Sequence, residues 1–136
     1  LEQRRGIATI NLACDYVNSA AYQIALNDFD GARVSAIEGL RLAHQVQSQL
    51  GTSSALQHFA LLAALNGQIQ VSARLLGYVD AQFSALGIER HATEKWGYDK
   101  LMTALHEKLS EAEIERLAAE GAAWSEDQAV EEALKV

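Results

Sequence analysis

Four histidines, one cysteine and 18 carboxylates are the residues of this 136-residue chain best suited to acid–base, nucleophilic or metal chemistry. A metal site on helices is usually seeded by ligands at i, i+3 or i, i+4 spacing, with others converging on them. His44, His58, His91 and His106 form no such pair and fall in four separate stretches. They read as surface or core-edge residues, and no metal is expected. Cys14 sits on an apolar helical stripe, where a buried, inert thiol is expected rather than a nucleophile. Carboxylate pairs such as Glu111/Glu115 stand where a helix would begin, and a helix N-terminus favours negative charge. His91 with Glu94 reads likewise as a contact at a helix start. There is no GxxxxGK[ST] phosphate loop, no GxSxG elbow and no HExxH zinc pair. The chain therefore reads as non-catalytic and without a cofactor. One polar stripe remains: Asn11, Asp15, Asn18 and Tyr22 recur at 4-3-4 spacing on one helix face, and Asn18 aligns with His58 forty residues on. Such side chains could contact a ligand, although a solvated helix face is the plainer reading.

The balance of charge narrows the partners. The 18 Asp and Glu against 11 Lys and Arg give a formal net charge of −7. Nucleic-acid binding rests on clustered Lys and Arg, so no nucleic-acid partner is expected. The last third, residues 89–136, carries most of the negative charge and reads as a solvated acidic face. No run of 18 apolar residues exists to span a membrane, and no basic-then-apolar leader opens the chain. A cytoplasmic location is expected, and a first residue of Leu rather than Met suggests a piece of a longer polypeptide.

Those residues must be positioned by helices. Leu and Ala supply 42 of the 136 residues and Pro is absent. Both are strong helix formers, and strand-rich chains need turn punctuation that is scarce here. An all-α domain of seven helices follows. Ile7, Ile10, Cys14, Val17, Ala21 and Ile24 recur at spacings of three and four, the mark of one buried stripe on a helix of about Gln3–Leu26. Asn27-Asp28-Phe29-Asp30-Gly31 breaks it with turn-favouring residues. A second helix, Gly31–Leu50, is expected to end at Gly51 in a left-handed conformation. Ser54 with Gln57 reads as a capping box opening a third helix, Ser54–Asn66, apolar on almost every side and so sandwiched between neighbours. Asn66-Gly67 turns the chain into a fourth helix that Gly87 closes after Leu86. A fifth spans Ala92–Leu109. Ser110-x-x-Glu113 and Ser125-x-x-Gln128 are capping boxes for short helices at 111–120 and 126–134, with Gly121 between them.

The first four helices form two hairpins, 3–50 and 52–87, offset by 40 residues, followed by capping helices at 92–134. Ala20 falls on Ala60, Phe29 on Ile69, Ala32 on Ser72 and Ala36 on Leu76. Small residues recur where paired helices cross closely, as stacked helical hairpins require. The pattern resembles a tetratricopeptide repeat stack, with a period longer than the usual ~34 residues. Asn11-Leu12-Ala13, Ala32-Arg33, Gly39-Leu40-Arg41-Leu42-Ala43, the stretch Gly67–Gly77, Ala119-Glu120-Gly121 with Trp124, and Ala129–Leu134 together resemble the C-terminal repeat region of large bacterial signalling ATPases and transcriptional regulators of the STAND type. In that family the region follows a nucleotide-binding module and often a cyclase or winged-helix domain, where the catalytic residues lie. The resemblance implies no catalytic residue here.

The stretch from Leu109 to Gly121 is also similar to the opening of the helix-turn-helix of LuxR-type regulators. Only 15 residues follow Gly121, too few for a second and a recognition helix, and they carry four carboxylates against Lys135. DNA binding is not expected. In a repeat stack the first helix of each hairpin lines a concave face. Val17, Ala21 and Ile24, then Gln57, Leu61 and Leu65, with Cys14, Ala25, Ser54 and Ala64, are the expected lining. A mostly apolar groove is costly to leave open to water. It should be filled by a helix, from the chain's own C-terminal segment, from upstream repeats or from a second copy. The function expected is a protein–protein or self-association module. A small-molecule effector-sensing domain, using Asn11, Asp15, Asn18, Tyr22 and His58, is the alternative.

Overall fold

The computed structural model describes the backbone of residues 2–136 and side chains from Gln3 onward. Seven helices and no strand occur among the described residues: α1 (Glu2–Ala25), α2 (Phe29–Gln45), α3 (Gln49–Leu65), α4 (Ile69–Leu86), α5 (Ala92–Lys108), α6 (Glu111–Ala122) and α7 (Glu126–Leu134). The protein is all-α.

The first three connections share one design. Asn27 (φ 62°), Gln47 (φ 57°) and Gly67 (φ 91°) take the left-handed conformation. The residue after each reaches back over the helix end: the Asp28 N–H donates to the Gln23 carbonyl, Ser48 to Ala43 and Gln68 to Ala63, each at 2.8 Å. This closure satisfies carbonyls that a helix end leaves unpaired. The same residue then opens the next helix. The Asp28 side chain accepts the Gly31 N–H at 3.0 Å, and Ser48 accepts that of Gly51 at 3.1 Å. Gly87 (φ 65°) ends α4 in the same way, with the Ile88 N–H on the Phe83 carbonyl at 3.2 Å. Left-handed residues at 27, 47, 67 and 87 thus set a 20-residue rhythm, one helix to each unit.

That rhythm corrects two expected boundaries. The second helix does not run to Leu50: it stops at Gln45, and Gln47 rather than Gly51 turns left-handed. Gly51 lies in the first turn of α3, where a Cβ would crowd Ala43 and the Ser48 hydroxyl. Ser48 caps α3, and Ser54 is a buried residue within it rather than its cap. The hairpins span 2–45 and 49–86.

The core forms around α3, buried without interruption from Thr52 to Ala64. It packs against α1, α2, α4, α5 and α7, as a helix apolar on all sides must. Glycine permits the tightest crossings. A Cβ on Gly77 would collide with the Ala118 carbonyl, and one on Gly121 with the Arg74 carbonyl, so α4 and α6 touch backbone to backbone. Gly121 therefore belongs inside α6, and the break before α7 falls at 123–125 instead. The capping box at Ser110 forms in both directions with Glu113, and Ser125 caps α7 through the Gln128 N–H at 3.2 Å. On α7, Ala129 and Ala133 are fully buried. Arg33 and His44 of α2 tie it down, through the Leu134 carbonyl at 3.2 Å and the Glu126 carboxylate at 3.2 Å. Among the described residues, no helix is long and apolar enough to cross a membrane.

Candidate functional site

The apolar seam of α1 is used for only half its length. Ile7, Ile10, Cys14, Val17, Ala21 and Ile24 keep a 3-4-3-4-3 spacing, which places them in one line along the helix. Val17, Ala21 and Ile24 are buried in the protein's own core. Ile7 is 60% exposed and Ile10 39% exposed, and Cys14 is exposed as well, contrary to the buried thiol expected. α1 has 24 residues and α2 only 17, so the first turns of α1, with Ile7, extend past α2. Cys14 lies level with α2, where its neighbour Ala13 is buried against Leu42 and Ala43, but it faces the cleft on the other side of α1.

The chain's own α5 enters the expected groove from the other side. It packs mainly on α3, where Gly97 lies 3.3 Å from Gln57 Nε2 and 4.0 Å from Leu61 Cδ2, measured from where a Cβ would stand. A polar clamp holds it there. Gln57, 1% exposed, donates from Nε2 to the Glu94 carbonyl at 2.7 Å, and its Oε1 accepts from Arg90 Nε at 2.6 Å. Arg90 also donates to Asp80 Oδ1 at 2.6 Å. Its guanidinium lies over the Phe83 ring at 4.7 Å and over the Tyr98 ring at 4.3 Å. A buried amide with both ends paired, and a cation stacked on two aromatic rings, fix the 87–91 linker and the start of α5. Burial and then the nearby Asp80 carboxylate raise the Tyr98 phenol above its ordinary range.

Two adjoining clefts remain between α1 and α5, sharing Thr93. One, of about 370 Å³, lies between Ile10, Cys14, Val17 and Asn18 of α1, Leu50 and Ser54 of α3, His91 just before α5 and Glu94 in its first turn. The other, of about 310 Å³, is bounded by Ala21, Tyr22 and Ala25 against Ala92 and Trp96. Of the expected lining, Val17 and Ala21 border these clefts, whereas Ile24 and Leu61 lie in the core and Gln57 inside the clamp. Leu65 sits apart, at the α3 end, in a cleft with Phe29 and Arg33. Asn11, Asp15, Asn18 and Tyr22 are all exposed on α1. His58 does not join them. It is buried under α1 by the Val17 carbonyl, with no hydrogen-bond partner for Nδ1. Burial pushes its pKa down to about 4 against the smaller opposing effect of that carbonyl, so the ring is neutral.

The α5 wall of the groove (His91, Thr93, Glu94 and Trp96) was not legible in the sequence. Periodicity marks the apolar positions of a helix but not the neighbour it folds onto, and Gly97 is the only local hint of a close approach. His91 precedes α5 without capping it through its side chain. Among the described residues, no three His, Cys, Asp or Glu side chains gather to hold a metal ion. No family model, curated protein or solved structure matches the chain.

Proposed function

We propose that this chain is a non-catalytic helical interaction module whose α1–α5 groove accepts an apolar helix from a protein partner. The observation that carries this reading is the divided seam of α1: Val17, Ala21 and Ile24 pack inside while Ile7, Ile10 and Cys14 continue the same line into solvent. A line of apolar residues at coiled-coil spacing that ends in an open cleft suits helix-in-groove recognition. The 20-residue rhythm of hairpins supports a tetratricopeptide-like stack. The resemblance to the C-terminal repeats of bacterial signalling ATPases and transcriptional regulators supports a cytoplasmic signalling role in a larger protein.

The test is titration of a labelled, three-turn amphipathic helical peptide with Leu on one face and Lys on the flanks. Saturable micromolar binding, lost with Ile10→Asp, is the expected result. No binding at millimolar protein refutes the reading. The second cleft favours an alternative, a small-molecule effector domain, because Tyr22 and Trp96 flank an apolar space of about 310 Å³ near the lower end of ligand-pocket sizes. Quenching of tryptophan fluorescence by a small aromatic ligand, abolished by Trp96→Ala and unaffected by Ile10→Asp, would favour it over the helix groove.

A further inference from the structure

We infer that the helix this groove accepts is α1 of a second copy of the same chain, laid antiparallel across Ile7, Ile10 and Cys14. The inference rests on the groove reading above and adds the identity of the occupant. The seam supplies the apolar part. In the register that sets Ile7 of one copy against Ile10 of the other, each isoleucine covers its counterpart, and the contact repeats itself through a two-fold axis, as an isologous interface requires.

The charges beside the seam supply the direction. Arg4 and Asp15 lie eleven residues apart, three turns, and so share one flank of α1. Among the described residues, neither forms an ion pair within the chain. Like flanks face each other when two helices pair antiparallel, and in this register Arg4 stands level with position 13 of the second copy. Asp15 lies two residues further along, a rise of about 3 Å, within reach of a guanidinium. That flank is also the side on which α5 presents Glu94 to the cleft beside Asn18. The basic start of each α1 therefore meets carboxylates of its mate at both ends. A parallel pairing would instead set unlike flanks together, leaving the Arg4 and Asp15 flank of one helix away from that of the other and the two charges without this match.

The surface supplies the strength. The overlap covers three to four turns of α1 and reaches the mouth of the cleft at Cys14, a contact at the small end of specific interfaces.

Sedimentation velocity on the chain, from micromolar to millimolar concentration, tests this. A concentration-dependent shift from monomer to dimer is expected, weaker at high salt. Ile10→Asp should hold the chain monomeric with an unchanged circular dichroism spectrum. Arg4→Glu and Asp15→Arg should each weaken the dimer about tenfold, and the double charge swap should restore it, an effect that mere apolar stickiness does not produce. A monomer at every concentration, or single charge reversals without effect, overturns the inference. Peptide binding at the groove in a chain that stays monomeric would leave the groove reading standing and the second copy excluded.

Discussion

Lowering the pH from 7 to 5 should unload stability from this protein through His58. The ring is 2% exposed, its Nδ1 lacks a partner, and its pKa in the fold is about 4. Unfolded, an imidazole takes its proton near 6.5. Between those values the unfolded chain binds the proton that the folded chain refuses, so stability falls as pH falls. Nothing is lost above about pH 7. The loss reaches about 2 kcal/mol by pH 5 and about 3 kcal/mol once the pH drops past 4, at about 1.4 kcal/mol for each unit between the two pKa values. Carboxylates also titrate in this range, so the measurement is a difference. Urea midpoints for the wild type and His58→Leu are compared at pH 7 and pH 5. Leu fills a similar volume and removes an unpaired polar atom that costs about 1–3 kcal/mol, so the variant should be no less stable at pH 7. Going to pH 5, the wild-type midpoint should fall by roughly 1 M more than that of the variant. Equal falls would refute the reasoning, because the buried ring would then have access to a proton in the folded state.

Three further outcomes follow from the turns and crossings. Gln47 holds a left-handed φ of 57° without being glycine; Gln47→Gly should raise stability by about 1 kcal/mol and the melting temperature by about 3 °C, read by thermal unfolding. Gly121→Ala would drive a methyl group into the Arg74 carbonyl, so α6 must lift from α4, at a cost of about 3 kcal/mol in urea unfolding and with faster hydrogen exchange across 111–122. His106 Nε2 lies 2.7 Å from Glu111 and its pKa is raised by that bond first; its nuclear magnetic resonance titration should centre above 6.5 and return toward it in Glu111→Gln. Because the folded pKa is the higher one, that contact helps at low pH and fades as pH rises through it.

The outcome at residues 45–51 shows where local reading reaches its limit. Asn27, Gly67 and Gly87 announce left-handed turns because Asn and Gly accept positive φ. Gln47 carries no such mark, and the nearby Gly51 is the natural but mistaken choice. Gln47 adopts the strained backbone because the Ser48 N–H then closes on the Ala43 carbonyl, the Ser48 hydroxyl caps α3, and Ala43 packs fully buried. Likewise Gly121 resembles a helix stop, and only the crossing with α4 shows that it is a contact.

What depends on neighbours along one helix was therefore determined by the sequence: the all-α class, the approximate limits of five of the helices, the serine caps of α6 and α7, and the enclosure of α3. Helix propensity, capping and apolar periodicity act within a few residues, so they can be read from the chain. Tertiary structure decided which apolar surfaces found a partner. The same stripe on α1 is core at Ile24 and open at Ile7 because α2 is shorter than α1, and the expected groove positions Gln57 and Leu61 are covered because α5 folds back onto α3. His58 is buried and the polar stripe aligned with it is not, since the two repeats meet different neighbours. Burial is set by contacts distant in the chain, and a local pattern of residue types does not specify those contacts.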